Sequence, residues 1–134
     1  MPPEENLVRQ WIRLGSHDFR EAQRAFAETD DPAFEIVCFH AQQASEKYLK
    51  AFLCSRGIKF PNTHDLAKLG TLIPRDAELS LSLKELAYLT PYAVSSRYPG
   101  VDIPETREDA DFAIEIAKRI REAILPLLLG GEFS

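Results

Sequence analysis

Apolar residues recur with a helical period along most of this chain, and that pattern places the first two helices. From residue 4 to about residue 28, the stripe that predicts a first helix consists of Leu7, Trp11, Leu14, Phe19, Ala22 and Phe26. Gly15 weakens the middle of this helix. Asp31 followed by Pro32 predicts the start of a second helix, with Asp31 as its N-cap. That helix runs to Arg56, and Gly57 supplies a left-handed stop.

Three further helical segments are predicted downstream. Thr63 can cap a short helix from His64 to about Ile73. A fourth segment, 79–97, has one apolar side and is broken or kinked near Pro91, and that side carries Leu79, Leu83, Leu86 and Leu89. Thr106 with Asp109 resembles an acidic capping box that opens a last helix. The core-facing stripe of that helix is Ala113, Ile116, Ala117, Ile120, Ala123, Ile124 and Leu127.

Together these segments predict the fold class. Strand alternation and internal repeats are absent from the sequence, and the connections are short. We therefore expect an all-α protein, an up-and-down antiparallel four-helix bundle with an additional short helix. The length of 134 residues suits one core, so residues 1–134 are expected to form a single domain.

Composition and charge narrow the functional classes. Hydrophobic residues make up 45% and charged residues 28%, which is ordinary globular usage. A net charge of −5 argues against indiscriminate binding of long nucleic acid but leaves room for a local basic site. Cys38 and Cys54 lie roughly 24 Å apart on one predicted helix, too far for a disulfide. With no signal peptide and no apolar run of membrane-spanning length, the expected location is the cytoplasm.

The second helix has a buried side and, beside it, a row of polar residues. The side expected in the core carries Phe34, Val37, Ala41, Ala44, Tyr48, Ala51 and Phe52. A spacing of 3, 4 and 3 confines the polar row to a sector of roughly 80°, and its members are His40, Gln43, Lys47 and Lys50. Taken alone, the row offers cations and hydrogen-bond donors to a phosphate or carboxylate. The competing interpretation is that the row is simply a solvent-exposed side of the helix with no binding function. Glu46 lies next to the row and can orient Lys50 at i+4.

Apolar residues also occupy a third sector of the second helix. Phe39, Leu49 and Leu53 lie there, which implies either further core packing or a subunit interface. A homodimer is therefore expected.

The segment that ends the fourth helical stretch contains a second candidate for anion binding. Arg97 precedes Tyr98 and Pro99, and an arginine presents a planar fork of donors that matches phosphate oxygens. A cation that caps the carboxyl end of a helix explains the same residue equally well.

In combination, these residues resemble a known family. The run FHAQQASEKYLKAFLCSRG, then PNTHDL, then SSRYP before an acidic last helix looks like the HEPN domain, the higher eukaryote and prokaryote nucleotide-binding domain, of the prokaryotic type that contains Arg-Tyr-Pro. The resemblance extends from Trp11 through the last helix. It implies a bundle of about five helices, usually a homodimer, often encoded beside a small nucleotidyltransferase in toxin–antitoxin-type pairs.

Carried over to this chain, the resemblance assigns the family's positions to particular residues. On the second helix and the connection after it they are His40, Gln43, Glu46, Lys47, Lys50, His64 and Asp65. In the later segment they are Arg97, Tyr98 and Pro99. Of these, the polar row with Arg97 and Tyr98 is expected to bind the ligand, and Glu46, His64, Asp65 and Pro99 to support it.

The sequence departs from the family's ribonucleases at one point. Those enzymes carry an arginine followed after four to six residues by a histidine, and the pair cleaves RNA without a metal. Here no histidine follows Arg97, and Asp102 stands in the window, where a carboxylate would repel RNA phosphate. This departure favours a non-catalytic protein over an enzyme.

The leading hypothesis is therefore a dimeric HEPN-like module that binds a nucleotide, an RNA phosphate or another phosphate-bearing ligand and pairs with a nucleotidyltransferase. One alternative is a metal-independent ribonuclease toxin that uses Arg97 with His40 or His64. Another is a protein-interaction scaffold whose polar row binds an acidic surface. No cofactor or metal is expected, since the sequence has no Glu-x-x-His pair for a di-metal centre and no Cys/His spacing suited to zinc.

Overall fold

Helices account for nearly all of the regular structure. The computed structural model describes residues 3–75, 79, 81–93 and 104–129. Within those residues there is no strand. The elements in chain order are α1 (Pro3–Ala27), α2 (Phe34–Ser55), α3 (Leu66–Thr71), α4 (Leu83–Leu89), a 3-10 helix (Thr90–Ala93) and α5 (Arg107–Leu129).

The contacts between α1 and α2 show that the two helices are antiparallel. Asp18, in the second half of α1, lies against His40 near the start of α2. Trp11, nearer the start of α1, lies 5.5 Å from the ammonium of Lys50 near the end of α2. Residue numbers therefore fall along one helix as they rise along the other.

The remaining directions follow from contacts of α5. Arg107 at the start of α5 lies over both Phe26 and Phe34, so α2 and α5 begin at the same end of the bundle and run parallel. Contacts between α4 and α5 are antiparallel, Tyr88 with Asp109 and Glu85 with Arg119. Helices α1, α2, α4 and α5 therefore alternate in direction. The expected up-and-down antiparallel bundle with an additional short helix is confirmed, although α4 is much shorter than the other three.

Helix α2 is the centre of the core. Its expected apolar side is buried almost completely: Val37, Ala41, Ala44, Tyr48 and Ala51 are 0% exposed and Phe52 is 1% exposed. Leu49 and Leu53, in the sector that suggested either core packing or an interface, are also 0% exposed. These two leucines pack in the core of the monomer, so they no longer argue for a dimer.

The end of α2 and the start of α5 are formed by the residues predicted to form them. Gly57 has a φ of 66°, the left-handed conformation that stops a helix after its last turn. Asp109 N–H donates to Thr106 Oγ1 at 3.2 Å, and Thr106 N–H donates to Asp109 Oδ2 at 2.9 Å. The capping box of α5 is thereby confirmed. Glu85 and Ser82 form a similar box at the start of α4.

Two predicted helix starts were wrong. Ala33 occupies the N-cap position of α2 without a side-chain hydrogen bond, while Asp31 lies in a turn with a φ of 53°. Pro32 accordingly precedes the helix. Helix α3 is capped by Asp65, whose side chain accepts the N–H of Lys68 at 3.2 Å, and not by Thr63. At α3 a suitable cap occurs at both Thr63 and Asp65, whereas α2 begins at an alanine that no capping preference would have selected.

The break near Pro91 is confirmed. The α-helical part of the fourth segment ends at Leu89, and a 3-10 turn follows. Leu79, Leu86 and Leu89 are buried as predicted, but Leu83 is 48% exposed, which corrects that part of the stripe. The end of the predicted segment, 94–97, lies outside the described residues.

The inward side of α1 differs from the predicted stripe. Val8, Gly15, Phe19 and Ala22 are buried, whereas Leu7 and Leu14 are more than 40% exposed. Gly15 lets the two long helices approach closely, because a Cβ atom there would lie 3.2 Å from the Tyr48 ring. At the other end of the chain, Leu127 is likewise exposed and not in the core.

Candidate functional site

Between residues 40 and 53, helix α2 presents only a narrow polar strip to solvent, between α1 on one side and the α2–α3 connection on the other. Thirteen of its 22 residues are buried, and these include Gln42, Glu46 and Lys50. His40, Gln43 and Lys47 are partly exposed and lie on one face of the helix, as their spacing predicts. In the middle of α2, the strip is therefore the part that a ligand or partner can reach.

One end of the strip is organised by a carboxylate from α1. Asp18 Oδ1 lies 2.8 Å from His40 Nδ1, and Asp18 Oδ2 forms an ion pair with the ammonium of Lys47. The side chains of Asp18, His40 and Lys47 are 13%, 25% and 21% exposed. We call these three residues the Asp18 cluster.

A second carboxylate, Glu46, gathers residues from α2 and from the α2–α3 connection. Its two oxygens lie 3.0 Å from Lys50 Nζ and 2.7 Å from His64 Nδ1. Gln42 Nε2 donates to the backbone carbonyl of His64 at 3.0 Å and to Glu46 at 3.4 Å. Gln43 Nε2 in turn donates to Gln42 Oε1 at 2.7 Å. We call Glu46, Lys50, His64 and Gln42 the Glu46 cluster.

The two clusters have the same chemical plan, a carboxylate shared by one lysine and one histidine. An ionised carboxylate only accepts hydrogen bonds, so each imidazole carries a proton on Nδ1 and keeps Nε2 for another partner. The His64 side chain is 65% exposed, whereas that of His40 is 25% exposed. His64 is thus the imidazole more accessible to a ligand.

The charges of the strip are largely balanced by these carboxylates. Lys47 is neutralised by Asp18, and Lys50 is neutralised by Glu46. Lys50 is 4% exposed, and its ammonium also lies 5.5 Å from the Trp11 ring, so it does not face solvent. On α2 alone, the polar row contains only cations and hydrogen-bond donors. Together with the carboxylates of Asp18 and Glu46, its net charge is close to zero.

The predicted site residues are therefore only partly brought together. His40, Gln43, Lys47, Lys50, Glu46 and His64 belong to one connected region. Asp65 follows His64 in the chain, but its side chain serves as the N-cap of α3. Arg97, Tyr98 and Pro99 lie outside the described residues.

Two participants were missed from the sequence. Asp18 lies on α1, and only the pairing of α1 with α2 places its carboxylate beside His40. Gln42 lies in the family-like run of the second helix, but its role in holding the backbone of His64 depends on the path of the connection. The i+4 contact between Glu46 and Lys50, in contrast, was predicted from spacing alone and is confirmed.

Clearly shifted pKa values occur elsewhere, at the contact between α4 and α5. Burial raises the pKa of the Tyr88 hydroxyl, which donates to Asp109 at 2.9 Å. The Thr106 N–H lowers the pKa of Asp109, and the Ser82 N–H lowers that of Glu85. Helix caps and burial explain these shifts, so they do not mark another site.

Comparison with known proteins assigns the chain to a family. The sequence profile of the HEPN domain matches residues 8–127. This chain belongs to the HEPN domain family. The resemblance drawn from the second helix, the connection and the Arg97 segment is confirmed. No curated protein gives a significant sequence match.

Solved structures agree with the HEPN assignment. The protein TT1696 from Thermus thermophilus is 26% identical, with a TM-score of 0.71 over 87% of this chain and 94% of that one. ST0689, an archaeal HEPN homologue, is 30% identical, with a TM-score of 0.69 over 90% of this chain and 97% of that one. The helical bundle implied by the resemblance is thus found in solved relatives.

Neither a metal cluster nor a membrane span is found in the described part of this HEPN domain. Among those residues, no group of three or more His, Cys, Asp or Glu side chains could hold a metal ion. None of the described helices combines the length and the apolar character that crossing a membrane requires.

Proposed function

We propose that this HEPN domain binds a nucleotide or another phosphate-bearing ligand at the polar strip of α2 and acts beside a small nucleotidyltransferase. The observation that supports this most directly is the pair of imidazoles, each anchored through Nδ1 by a carboxylate. In the protonated imidazolium, each Nε2–H is then a directed donor to a phosphate oxygen. Gln43 and Lys47 add an amide and an ammonium on the same face.

The charge balance indicates what else the ligand needs. Because Asp18 and Glu46 neutralise the two lysines, a phosphate requires further positive charge. Protonation of His64 or His40 would supply it, and so would a guanidinium. We propose that Arg97 with Tyr98 provides this second contribution, since an arginine fork binds phosphate oxygens in pairs.

Calorimetry tests the ligand site. A panel of nucleoside mono-, di- and triphosphates is titrated into the protein, alone and with a nucleotidyltransferase encoded nearby. We expect binding heat that Lys47→Ala and Arg97→Ala both abolish, while Lys59→Ala, an exposed lysine outside both clusters, leaves it unchanged. Absence of heat for every nucleotide, or heat unchanged in both variants, contradicts the proposal.

We also propose that the domain is a homodimer formed through the face that carries the polar strip. Leu7 and Leu14 are 45% and 46% exposed on α1, one turn on either side of Trp11, and Ile36 is 37% exposed on α2. Large apolar side chains that remain exposed are typical of interfaces. In light scattering, Leu7→Glu with Leu14→Glu is expected to halve the mass, whereas Leu83→Glu on α4 is not. The opposite pattern would move the interface to α4.

The partner proposal rests on the family's genomic arrangement and is tested separately. A nucleotidyltransferase reading frame beside the gene, and co-purification of the two products, are the expected results. If the two proteins do not associate with or without nucleotide, the toxin–antitoxin-type pairing fails while the ligand site can still stand.

One observation favours a second function, metal-independent RNA cleavage. His64 is exposed, and its Nδ1 is held by buried Glu46, which is the arrangement that orients an imidazole for acid–base chemistry. Cleavage of RNA in the presence of a chelator, lost in His64→Ala and in Arg97→Ala, would establish this enzyme. Intact RNA and no growth arrest on expression would exclude it.

A further inference from the structure

The acidic side chain that α1 contributes to the polar strip is that of Asp18, and both of its oxygens are engaged there. Oδ1 lies 2.8 Å from His40 Nδ1, and Oδ2 forms an ion pair with the Lys47 ammonium. The carboxylate therefore lies between an imidazole and an ammonium, the two kinds of group that would hold a ligand phosphate. The strip thus contains an anion of its own beside the proposed anion site.

The close approach of α1 to α2 keeps this carboxylate in place. A Cβ atom at Gly15, one turn before Asp18, would lie 3.3 Å from Lys47 Cβ, so the backbones of the two helices are close together there. The Asp18 and Lys47 side chains are 13% and 21% exposed. Charges buried to this extent are screened by salt less than exposed pairs are. A ligand that binds Lys47 therefore meets Asp18 as well.

Two other carboxylates lie near the strip, and neither is placed in the same way. Glu46 is buried and is held by Lys50 at 3.0 Å. Glu21, one turn after Asp18 on α1, is 48% exposed and pairs with Arg24 at 3.1 Å. Its charge is therefore partly balanced and lies where water and salt screen it most. Of the three, Asp18 is the carboxylate that shares a partly exposed cation with the proposed ligand.

A phosphate oxygen that binds Lys47 lies close to Asp18. Two acceptors about 2.8 Å from one tetrahedral ammonium are roughly 5 Å apart, which leaves the phosphate and carboxylate charges about 6 Å apart. That distance is shorter than the Debye length of about 8 Å at physiological salt, so their repulsion is only partly screened. Because this repulsion is proportional to the charge of the ligand, it largely cancels the attraction of Lys47 for each added charge.

We propose that Asp18 makes the strip selective for singly charged phosphodiesters over phosphate monoesters. This proposal rests on the proposed binding of a phosphate-bearing ligand at the strip. A phosphate monoester carries close to two negative charges at neutral pH, since its second pKa is about 6. In a strip that Asp18 and Glu46 bring close to neutral, the second charge gains little attraction but still loses its hydration. The ligand class that fits is a phosphate esterified on two sides, as in a cyclic nucleotide or a dinucleotide.

Two ligands that differ by one methyl group test this selectivity. Adenosine 5′-phosphate and its methyl ester share a nucleoside but carry about two charges and one charge at pH 7.5. At about 6 Å and an effective dielectric constant near 40, each unit of ligand charge changes affinity roughly tenfold. In calorimetry, the wild-type protein is expected to bind the methyl ester about tenfold more tightly than the monoester. This comparison does not depend on the folding of any variant.

Asp18→Asn removes the charge and keeps the size of the side chain. It is expected to strengthen binding of the methyl ester about tenfold and of the monoester about 100-fold, so that the preference disappears. Asp18→Glu keeps the charge and should keep the preference. Asp111→Asn is the matched control, because it removes one charge from an exposed position on α5 outside both clusters. It should change both affinities by less than twofold.

The outcomes separate the role of Asp18 from the existence of the site. If no phosphate ester binds the wild-type protein, the proposed ligand site itself fails. If both esters bind equally, or the monoester binds more tightly, the site stands and the role of Asp18 is refuted. A structural role of Asp18 would change both affinities by one common factor in Asp18→Asn, which also overturns the proposal. Cyclic 3′,5′-AMP and the dinucleotide ApA should both bind more tightly than the monoester, and the tighter of the two identifies the form that the site takes; weaker binding of both contradicts the selectivity.

Discussion

Replacing Glu46 by glutamine removes the charge on which the Glu46 cluster depends while keeping nearly the same shape. Glu46 and Lys50 are each 4% exposed, and their side chains meet at 3.0 Å. The same carboxylate holds His64 Nδ1 at 2.7 Å. In Glu46→Gln, the Lys50 ammonium stays buried without an anion beside it.

The expected loss of stability follows from that burial. Removing one partner of a buried ion pair costs about 3–5 kcal/mol, because the remaining charge is desolvated without compensation. Lys50 keeps its contact with the Trp11 ring at 5.5 Å, which favours the lower end, about 3 kcal/mol. With an unfolding entropy of about 2.1 cal/mol/K per residue, a chain of 134 residues should lose roughly 10 °C in Tm.

Urea unfolding followed by circular dichroism measures this loss. Glu21→Gln is the matched control, since Glu21 forms an exposed pair with Arg24 whose loss should cost less than about 1 kcal/mol. Glu46→Gln with Lys50→Met removes both charges and should recover at least half of the loss. If Glu46→Gln is no worse than Glu21→Gln, the buried ammonium reaches water and the reasoning is refuted.

Two further predictions concern the helices that frame the site. Gly15→Leu should lower the free energy of unfolding by about 1–3 kcal/mol, because even a Cβ atom at this position would lie 3.2 Å from the buried Tyr48 ring. Urea unfolding measures this loss, with Gln10→Leu at an exposed position of the same helix as the control. A loss no larger than that of the control would contradict the prediction. The Thr106 N–H lowers the pKa of Asp109 below its ordinary 3.8, so the unfolded chain takes up the proton first. The stabilisation from this cap is therefore complete near pH 6 and is lost as the pH falls through the lowered pKa of Asp109. Asp109→Asn should make the free energy of unfolding depend less on pH in the acid range. An unchanged dependence in this variant would refute the prediction.

The parts of the fold that could be predicted are those set by neighbours in sequence. The apolar side of α2 repeats over five turns, so its burial followed from periodicity alone. Gly57 and the Thr106–Asp109 box depend on residues within one turn, and both were found where predicted. The contact of Glu46 with Lys50 likewise follows from i+4 geometry.

The sequence-based predictions were wrong where the burial or the charge of a residue depends on another helix of the bundle. In the first half of α1, apolar residues occupy a wide sector of the helix, so periodicity favoured Leu7 and Leu14 at one edge of that sector, whereas packing buried Val8 and Gly15. The polar row was interpreted from α2 alone, and the carboxylate of Asp18 arrives from α1. Whether a lysine on one helix is neutralised by a carboxylate on another can be known only once it is known which helices are in contact.

The position of Lys50 raises the question of why α2 carries a buried ion pair at all. Apolar residues of similar size are often as stable in such places or more so, so stability alone does not account for Glu46 and Lys50. What the pair adds is a fixed carboxylate that anchors His64 from the neighbouring connection. A binding group that is already held in place loses less conformational freedom when a ligand arrives.

The buried pair also lets a single variant separate stability from binding. Glu46→Gln with Lys50→Met should recover at least half of the stability lost in Glu46→Gln, yet it leaves His64 without an ionised partner at Nδ1. We therefore expect this variant to unfold at a higher urea midpoint than Glu46→Gln, and to give little nucleotide heat in calorimetry under conditions where it is folded. If it binds nucleotide as tightly as the wild type does, the Glu46 cluster serves only the fold, and the ligand site must be limited to the Asp18 cluster and residues beyond it.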